Sequence, residues 1–207
     1  MKVAVGVTGC VAAYKAAELV RLLQQEKLEV QVVMTAHAQE FITPLTFAAL
    51  SGQKVITEMF GQRRGRAGTE APIRHIALAE TIDALVIAPA TANMLGKLAH
   101  GVADDFLTTL YLATKAPVVV APAMNVNMWE HPTVQANLAR LRERGVKVID
   151  PETGYLACGM TGPGRLAKLE TIVAGVLDVL GVKHDLVGET VLVTAGPTCE
   201  DLDPVRY

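Results

Sequence analysis

Short aliphatic runs alternate with amphipathic segments along most of this chain. The runs, rich in Val, Ile and Ala, predict buried strands over residues 2–7, 30–34, 83–88, 116–121 and 146–149. The intervening segments carry apolar residues at helical spacing and predict helices over residues 12–25, 44–51, 104–114, 133–144 and 169–180. This alternation is typical of βαβ crossovers. The sequence therefore predicts an α/β protein with a doubly wound, mostly parallel sheet in a flavodoxin- or Rossmann-like three-layer arrangement.

The pattern changes towards the end of the chain. Residues 183–188 form a polar linker, and residues 190–194 predict one further strand that leads into a glycine turn. A single strand and a turn cannot bury a core of their own. We expect one domain over residues 1–181, and a linker with the opening of a second domain over residues 182–207, as in a fragment of a longer protein. Residues 62–69, which hold three arginines and two glycines, predict a flexible loop.

Composition narrows the function classes. The chain has 207 residues, of which 51% are hydrophobic and 19% charged, with a formal net charge of −2. Such a balance excludes disorder over most of the length and carries no basic footprint for nucleic acid. No apolar stretch reaches the roughly 18–20 residues of a membrane span, so no membrane partner is expected. The three cysteines are far apart, which predicts neither a disulfide framework nor a metal site and favours the reducing cytoplasm.

A glycine turn joins the first predicted strand to the first helix. Thr8 and Gly9 stand at the carboxyl end of that strand, where the free amides of a following helix bind anions. The spacing is not GxGxxG, and the second strand ends at Thr35 rather than at the carboxylate that a nicotinamide dinucleotide needs. The turn therefore favours a mononucleotide such as FMN over NAD. A tight structural turn explains the same residues equally well.

Two polar segments follow the third and fourth predicted strands. In residues 89–93 small side chains allow a flat ring to approach the backbone, and Thr91 and Asn93 offer hydrogen bonds to its polar edge. The alternative is a helix start with Thr91 as its N-cap. In residues 122–129, Asn125 offers both a donor and an acceptor at a strand end. The methionines and the tryptophan of this octet are also consistent with ordinary core.

A glycine-rich segment and a histidine are further candidates. Residues 154–165 contain four glycines, which predicts a mobile lid, and Cys158 on such a loop is accessible for proton exchange or nucleophilic attack. The alternative, a buried thiol acting as a small hydrophobe, suits Cys10 better. His75 stands near the start of a short predicted helix, where a neutral imidazole base is favoured. A purely structural histidine is the alternative.

Together these segments resemble the homo-oligomeric flavin-containing cysteine decarboxylases over about residues 1–180, and most of all their phosphopantothenoylcysteine-specific branch. Residues 122–129 and the Cys158 loop carry the resemblance most specifically. The family's Pro-Ala-Ser-Ala-Asn-Thr segment stands here at residues 89–94, where Thr91 keeps the hydroxyl and Met94 loses one. Residues 191–207 resemble the opening of a ligase domain whose remainder is absent, so no ligase activity is expected.

The resemblance implies FMN as cofactor and decarboxylation of 4′-phosphopantothenoylcysteine to 4′-phosphopantetheine, in coenzyme A biosynthesis, as the reaction. The substrate would pass through a thioaldehyde and an enethiolate. His75 would be the acid or base, Asn125 would hold the substrate carboxylate, and Cys158 would donate the last proton. The candidates for FMN contacts are Thr8, Gly9, Thr35, Pro89, Thr91 and Asn93. The candidates for substrate contacts are Asn125, Met128, Ala157, Cys158 and Gly159.

The resemblance also implies a homo-oligomer, either a trimer or a dodecamer, with FMN at the subunit interfaces. Three other functions stay open for this fold: a peptidyl-cysteine decarboxylase, a non-catalytic flavin-binding regulatory subunit and a prenylating flavoprotein. The ligase-like tail argues against the first. The joint presence of His75, Asn125 and Cys158 argues against the second, and a prenylating flavoprotein would not need the Cys158 loop.

Overall fold

Five parallel strands form the central sheet in the computed structural model, which describes residues 1–59, 74–182, 190 and 192. The strands are β1 (Lys2–Val7), β2 (Glu29–Met34), β3 (Ala84–Ala90), β4 (Val118–Pro122) and β5 (Lys147–Val148). They lie side by side in the order β2-β1-β3-β4-β5, and every neighbouring pair is parallel. This order is that of flavodoxin-like, doubly wound sheets. The predicted fold class is therefore confirmed.

Helices cover both faces of the sheet. Those described are α1 (Lys15–Gln25), α2 (Ala36–Gln39), α3 (Pro44–Ser51), α4 (Arg74–Thr81), α5 (Ala92–His100), α6 (Phe106–Ala113), α7 (Val126–Glu130), α8 (Pro132–Glu143) and α9 (Leu169–Val179). The core on one face is built with α1, α3 and α9. The core on the other face is built with α4, α5, α6 and α8. The result is the three-layer arrangement that the sequence predicts.

The middle of the sheet shows why these residues form this core. In β1, Val3 and Val5 point into the α1 layer and Ala4 into the opposite layer, because successive side chains of a strand face opposite ways. All three side chains are fully buried. A Cβ at Gly6 would lie 2.6 Å from Cδ1 of Leu107. The missing side chain therefore lets α6 pack directly against β1.

The predicted elements recur with shifted ends. The helix predicted from residue 12 begins as a short 3-10 helix, Val11–Tyr14, that leads into α1. The third strand runs on to Ala90, so Pro89 lies inside β3 rather than after it. Gly52 ends α3 in the left-handed conformation with a φ of 68°, as its position after the helical pattern predicts.

The glycine-rich segment is an antiparallel hairpin rather than the irregular loop that its composition predicts. Strands β6 (Glu152–Tyr155) and β7 (Thr161–Arg165) pair with each other, and the turn between them carries Cys158. The carbonyl of Gly164 accepts a hydrogen bond from the Met124 amide at 2.9 Å. Gly164 has a φ of 127°, and a Cβ there would lie 2.3 Å from the Met124 carbonyl oxygen. The glycine thus allows the hairpin to dock beside the end of β4.

Two predictions lie outside the described residues: the flexible loop over residues 62–69, and the strand over residues 190–194 with the tail that follows it. The domain division at residues 181 and 182 stays a prediction. Within the described part of the chain, no helix combines the length and the apolar character needed to cross a membrane.

Candidate functional site

A cavity of about 750 Å³ opens at the carboxyl ends of β1, β3 and β4. This is the edge at which doubly wound sheets bind their ligands. The volume falls within the range of about 300–1,000 Å³ that is usual for cofactor and small-molecule sites. The predicted site residues that line it are Gly9, Thr91, Asn93, Asn125, Met128, Ala157 and Cys158. The fold therefore brings four distant segments of the chain into one pocket.

Thr8 ties the first and third strands together beside this cavity. Its hydroxyl donates a hydrogen bond to the Pro89 carbonyl at 2.6 Å and accepts one from the Thr91 amide at 3.1 Å. The side chain is only 2% exposed, and neither Thr8 nor Pro89 lines the cavity. The FMN contacts predicted for these two residues stay a prediction, and within one chain the two residues have a structural role. They hold the backbone of Thr91 in place at the point where the strand order reverses.

Thr91 both begins a helix and faces the cavity. Its hydroxyl oxygen accepts the Met94 amide at 3.2 Å, which confirms the N-cap alternative. A hydroxyl that accepts one bond still has its own proton to donate. Thr91 and Asn93 both line the cavity, so the cap does not exclude a ligand contact. The Met94 side chain, which stands where the sequence resemblance would place a hydroxyl, is buried and packs in the core.

The first glycine turn uses several of its own amides. The Cys10 amide donates to the Thr8 carbonyl at 3.0 Å, and the Ala12 amide donates to the Cys10 sulfur at 3.3 Å. These bonds favour the structural-turn interpretation over an anion site at these two amides. A Cβ at Gly9 would lie 2.4 Å from the Cβ of His37, so the glycine allows α2 to approach the turn. Burial raises the pKa of the Cys10 thiol, against the opposing effect of the Ala12 hydrogen bond.

Asn125 and Cys158 meet at the edge of the cavity. The Asn125 Nδ2 group lies 3.2 Å from the Cys158 sulfur and 3.3 Å from the Met160 sulfur. The Oδ1 atom of the same side chain accepts the Asn127 amide at 2.8 Å as the N-cap of α7. Because the cap occupies the oxygen, the amide N–H groups must face the hairpin turn. The geometry thus orients a hydrogen-bond donor towards a thiol.

The Cys158 thiol is exposed, as predicted, and its pKa lies below the ordinary cysteine value. The hydrogen bond from the Met160 backbone is the largest cause, and the bond from the Asn125 side chain is the second. Both donors stabilise the thiolate. A thiol of this kind gives up its proton more readily than an unperturbed one.

Thr35 and His75 lie elsewhere. Thr35 caps α2 and lines a second cavity of about 320 Å³, whose lining also includes Phe106. The His75 ring stands edge-on to the Phe106 ring, with centroids 6.5 Å apart and an angle of 84° between the planes. Among the described residues, neither Thr35, His75 nor Gly159 lines the larger cavity. The fold of one chain therefore does not bring His75 together with Cys158 in that pocket.

Several residues of the cavity lining are not among the predicted site residues. They supply aromatic, apolar and cationic groups: Cys10, Val11, Tyr14, Lys15, Met124, Tyr155, Leu156, Arg165 and Leu166. The signal that could have found some of them is adjacency. Lys15 follows the glycine turn within one helical turn, and Arg165 closes the glycine-rich segment.

Two family models match the sequence. The family described as Flavoprotein matches residues 1–181, and the DNA/pantothenate metabolism flavoprotein C-terminal domain matches residues 186–207. The coenzyme A biosynthesis bifunctional protein CoaBC of Haemophilus influenzae is 45% identical over 205 residues, which cover 99% of this chain and 50% of the relative. The protein of the same name from Escherichia coli is 42% identical over 206 residues, with coverages of 100% and 50%. The chain spans about half the length of these relatives.

Two solved structures resemble the fold closely. A PPC decarboxylase mutant complexed with pantothenoylaminoethenethiol has a TM-score of 0.74 and 34% identity, covering 84% of this chain and 95% of that one. The FMN binding protein AtHal3 has a TM-score of 0.71 and 35% identity, covering 84% of this chain and 94% of that one. Because the matches cover nearly all of both solved chains, the likeness extends to their complete folds.

Proposed function

The chain belongs to the Flavoprotein family, and from this premise we propose that it is an FMN-dependent decarboxylase of 4′-phosphopantothenoylcysteine. The product is 4′-phosphopantetheine, a precursor of coenzyme A. One observation carries the proposal: Asn125 and Cys158, 33 residues apart in sequence, meet at 3.2 Å at the edge of a cavity of about 750 Å³. The similarity to CoaBC proteins and to a PPC decarboxylase supports the choice of substrate.

The cavity suits a flavin because small residues make up much of its lining. Gly9, Ala12, Ala92, Ala123 and Ala157 leave room for a flat, largely apolar ring beside the backbone. Gly9, Thr91 and Asn93 would hold it, with the Thr91 hydroxyl proton and the Asn93 amide available to its polar edge. When bound, FMN supplies the two-electron chemistry that allows the carboxylate to leave.

Asn125 and Cys158 have different roles towards the substrate. On substrate binding, the Asn125 amide would exchange its contact with the Met160 sulfur for a hydrogen bond to the substrate carboxylate. The cap on α7 fixes the side chain, so this bond also orients the carboxylate. Cys158 supplies a proton in the last stage: its S–H bond breaks, a C–H bond forms on the enethiolate, and the electron pair of the S–H bond stays on the cysteine sulfur. The thiol product also requires the return of the two electrons removed earlier, which bound FMN in its reduced form would supply as a hydride. The Met160 and Asn125 hydrogen bonds that lower the Cys158 pKa stabilise the resulting thiolate. Water returns the proton.

His75 is proposed as the acid or base near the substrate thiol, which requires a second copy of the chain. In one chain His75 packs beside Phe106, and Phe106 lines the second cavity, whereas Asn125 and Cys158 line the first. Exposed apolar side chains such as Tyr14 and Leu45 offer surface for association. We therefore propose a homo-oligomer, a trimer or a dodecamer, in which His75 of one copy completes the site of another.

Mixing two variants that form no 4′-phosphopantetheine tests this shared site. His75→Asn and Cys158→Ser subunits, unfolded together and refolded as hybrids, should regain part of the 4′-phosphopantetheine formation that each homo-oligomer lacks. Light scattering on the wild-type chain should give a mass of three or twelve subunits. A monomer that retains full activity would contradict the arrangement.

The free thiols of Cys10 and Cys158 suit the proposed cytoplasmic location, since a reducing compartment keeps Cys158 protonatable.

The substrate is tested by comparison among cysteine derivatives. The purified chain should show a flavin absorbance spectrum and should release CO₂ from 4′-phosphopantothenoylcysteine. A peptide with a C-terminal cysteine should be a poor substrate. A preference for the peptide would assign the chain to peptidyl-cysteine decarboxylation, and a flavin spectrum with no CO₂ from either compound would favour a regulatory subunit.

A further inference from the structure

Two cations stand in the lining of the large cavity. Among the described residues that line it, the charged side chains are those of Lys15 and Arg165. Neither makes an ion pair with a carboxylate in the described part of the chain. The chain as a whole carries a formal charge of −2, so two unpaired cations at one pocket are a local feature. A pocket of this kind attracts an anionic ligand.

In the hairpin, Arg165 forms no ion pair with the carboxylate that lies opposite it. Arg165 ends β7 opposite Glu152, but the Glu152 carboxylate pairs with Lys168 instead, at 4.0 Å. A Cβ at Gly154 would lie 3.5 Å from the Arg165 Nη1 atom, so the guanidinium group lies across the backbone of β6 where no side chain blocks it. Lys15 begins α1 and is half-buried, just after the glycine turn.

The proposed substrate is long enough to reach from the hairpin turn to Arg165. About thirteen bonds separate the phosphorus from the thiol sulfur, and an extended peptide covers three bonds in about 3.5 Å, so the molecule spans about 15 Å. The turn that carries Cys158 lies at one end of β7 and Arg165 at the other. The four residue steps from Thr161 to Arg165 cover at most about 13 Å, and the Arg165 side chain lies back over Gly154, on the turn side of its own position, rather than adding to that length.

We propose that Arg165 and Lys15 bind the phosphate of the substrate and so select phosphorylated pantothenoylcysteine over its dephospho form. This inference rests on the proposed function. Arginine bonds two phosphate oxygens through its planar fork, and lysine adds a compact charge. The phosphate of FMN has the same chemistry, so the experiment must separate the two sources.

The experiment uses calorimetry to compare how tightly the flavin-loaded full chain binds 4′-phosphopantetheine and its dephospho form, pantetheine. Wild type should bind 4′-phosphopantetheine at least about tenfold more tightly than pantetheine, as expected for charge-assisted hydrogen bonds. Arg165→Gln and Lys15→Gln should each reduce that ratio by about tenfold while the pantetheine affinity and the flavin content per chain stay the same. Lys115→Gln, which removes an exposed cation outside the cavity lining, should leave the ratio intact. Arg165→Lys keeps the charge without the fork and should give an intermediate ratio, which covers the case in which Arg165→Gln does not fold.

Other outcomes overturn the inference. An unchanged ratio in both glutamine variants, or an equal loss of affinity for both products, excludes phosphate recognition by these residues. Loss of flavin with either substitution assigns the cations to the cofactor instead. Failure of the proposed function has a different signature, since wild type would then release no CO₂ from 4′-phosphopantothenoylcysteine. Equal turnover of phosphorylated and dephosphorylated substrate by wild type would overturn the inference and leave the proposed function standing.

Discussion

Asn125 donates an amide N–H to the Cys158 sulfur across 3.2 Å while its oxygen accepts the Asn127 backbone amide at 2.8 Å. One side chain therefore caps a helix and polarises a thiol. Because the cap fixes which end of the amide faces the sulfur, the acidity of Cys158 depends on the local fold at the end of β4. This coupling leads to the first prediction.

Asn125→Asp should raise the Cys158 pKa. Aspartate is as good an N-cap as asparagine, so α7 is preserved. The variant removes the N–H donor and places a negative charge beside the sulfur, and both changes disfavour the thiolate. Site-resolved alkylation by iodoacetamide should become about tenfold slower at neutral pH, with its midpoint moved to higher pH. Asn127→Asp adds the same charge two residues along the chain and is the control; an equal shift in both variants would contradict the direct contact.

Cys158→Ser should separate the two halves of the reaction. The serine hydroxyl is a far weaker acid than a polarised thiol, so proton donation to the enethiolate should fall by about 10²–10⁴-fold while CO₂ is still released. The readout is the ratio of 4′-phosphopantetheine to CO₂. Cys199→Ser, at the remaining cysteine outside the described residues, should keep a ratio of one. Normal product output from Cys158→Ser would refute the assigned role.

Thr8→Val should destabilise the fold. The variant leaves the buried Pro89 carbonyl and Thr91 amide without their partner, which costs about 1–3 kcal/mol in the free energy of unfolding. Thr8→Ser keeps the hydroxyl and should lose only about 0.8 kcal/mol for one buried carbon. Urea unfolding at matched protein concentration measures both. If valine were as stable as serine, the tie between β1 and β3 would be irrelevant to stability.

Gly164→Ala should undock the hairpin that carries Cys158. The added Cβ would lie 2.3 Å from the Met124 carbonyl oxygen, so the hairpin must move or strain by about 1–3 kcal/mol. Gly159→Ala is the matched control, since its φ of 83° is also left-handed but the nearest atom to the new Cβ is 3.8 Å away. Gly164→Ala should lower the thermal unfolding temperature and the rate of decarboxylation more than Gly159→Ala does. The reverse order would show that docking against Met124 contributes little.

The sheet could be predicted from the sequence because buried parallel strands are continuous aliphatic runs. The short helices α2 and α7 could not, since four or five residues show too little periodicity. The hairpin could not be predicted from the sequence for a different reason. Glycine and proline in β7 provide no alternation of side chains, and docking against Met124, 40 residues earlier, is a tertiary contact.

The candidate site, like the fold, could be predicted from the sequence only in part. Asn125 and Cys158 could be identified from motifs, and the structure brings them together. The inward direction of the Thr8 hydroxyl depends on Pro89, 81 residues away, and no local pattern encodes it. His75 was grouped with Asn125 and Cys158 by resemblance, whereas one chain packs it beside Phe106. Lys15 and Arg165 belong to the pocket only through the meeting of α1 with the hairpin.

The central claim is that a flavin held in this cavity allows the chain to remove the carboxylate of 4′-phosphopantothenoylcysteine. The most direct measurement counts CO₂ and 4′-phosphopantetheine in one reaction, with the flavin-loaded chain and with the chain stripped of flavin. The account predicts equal amounts of both products over many turnovers from the loaded chain, none from the stripped chain, and recovery when FMN is added back. CO₂ release that is independent of flavin, or a fully loaded chain that releases none, would contradict it.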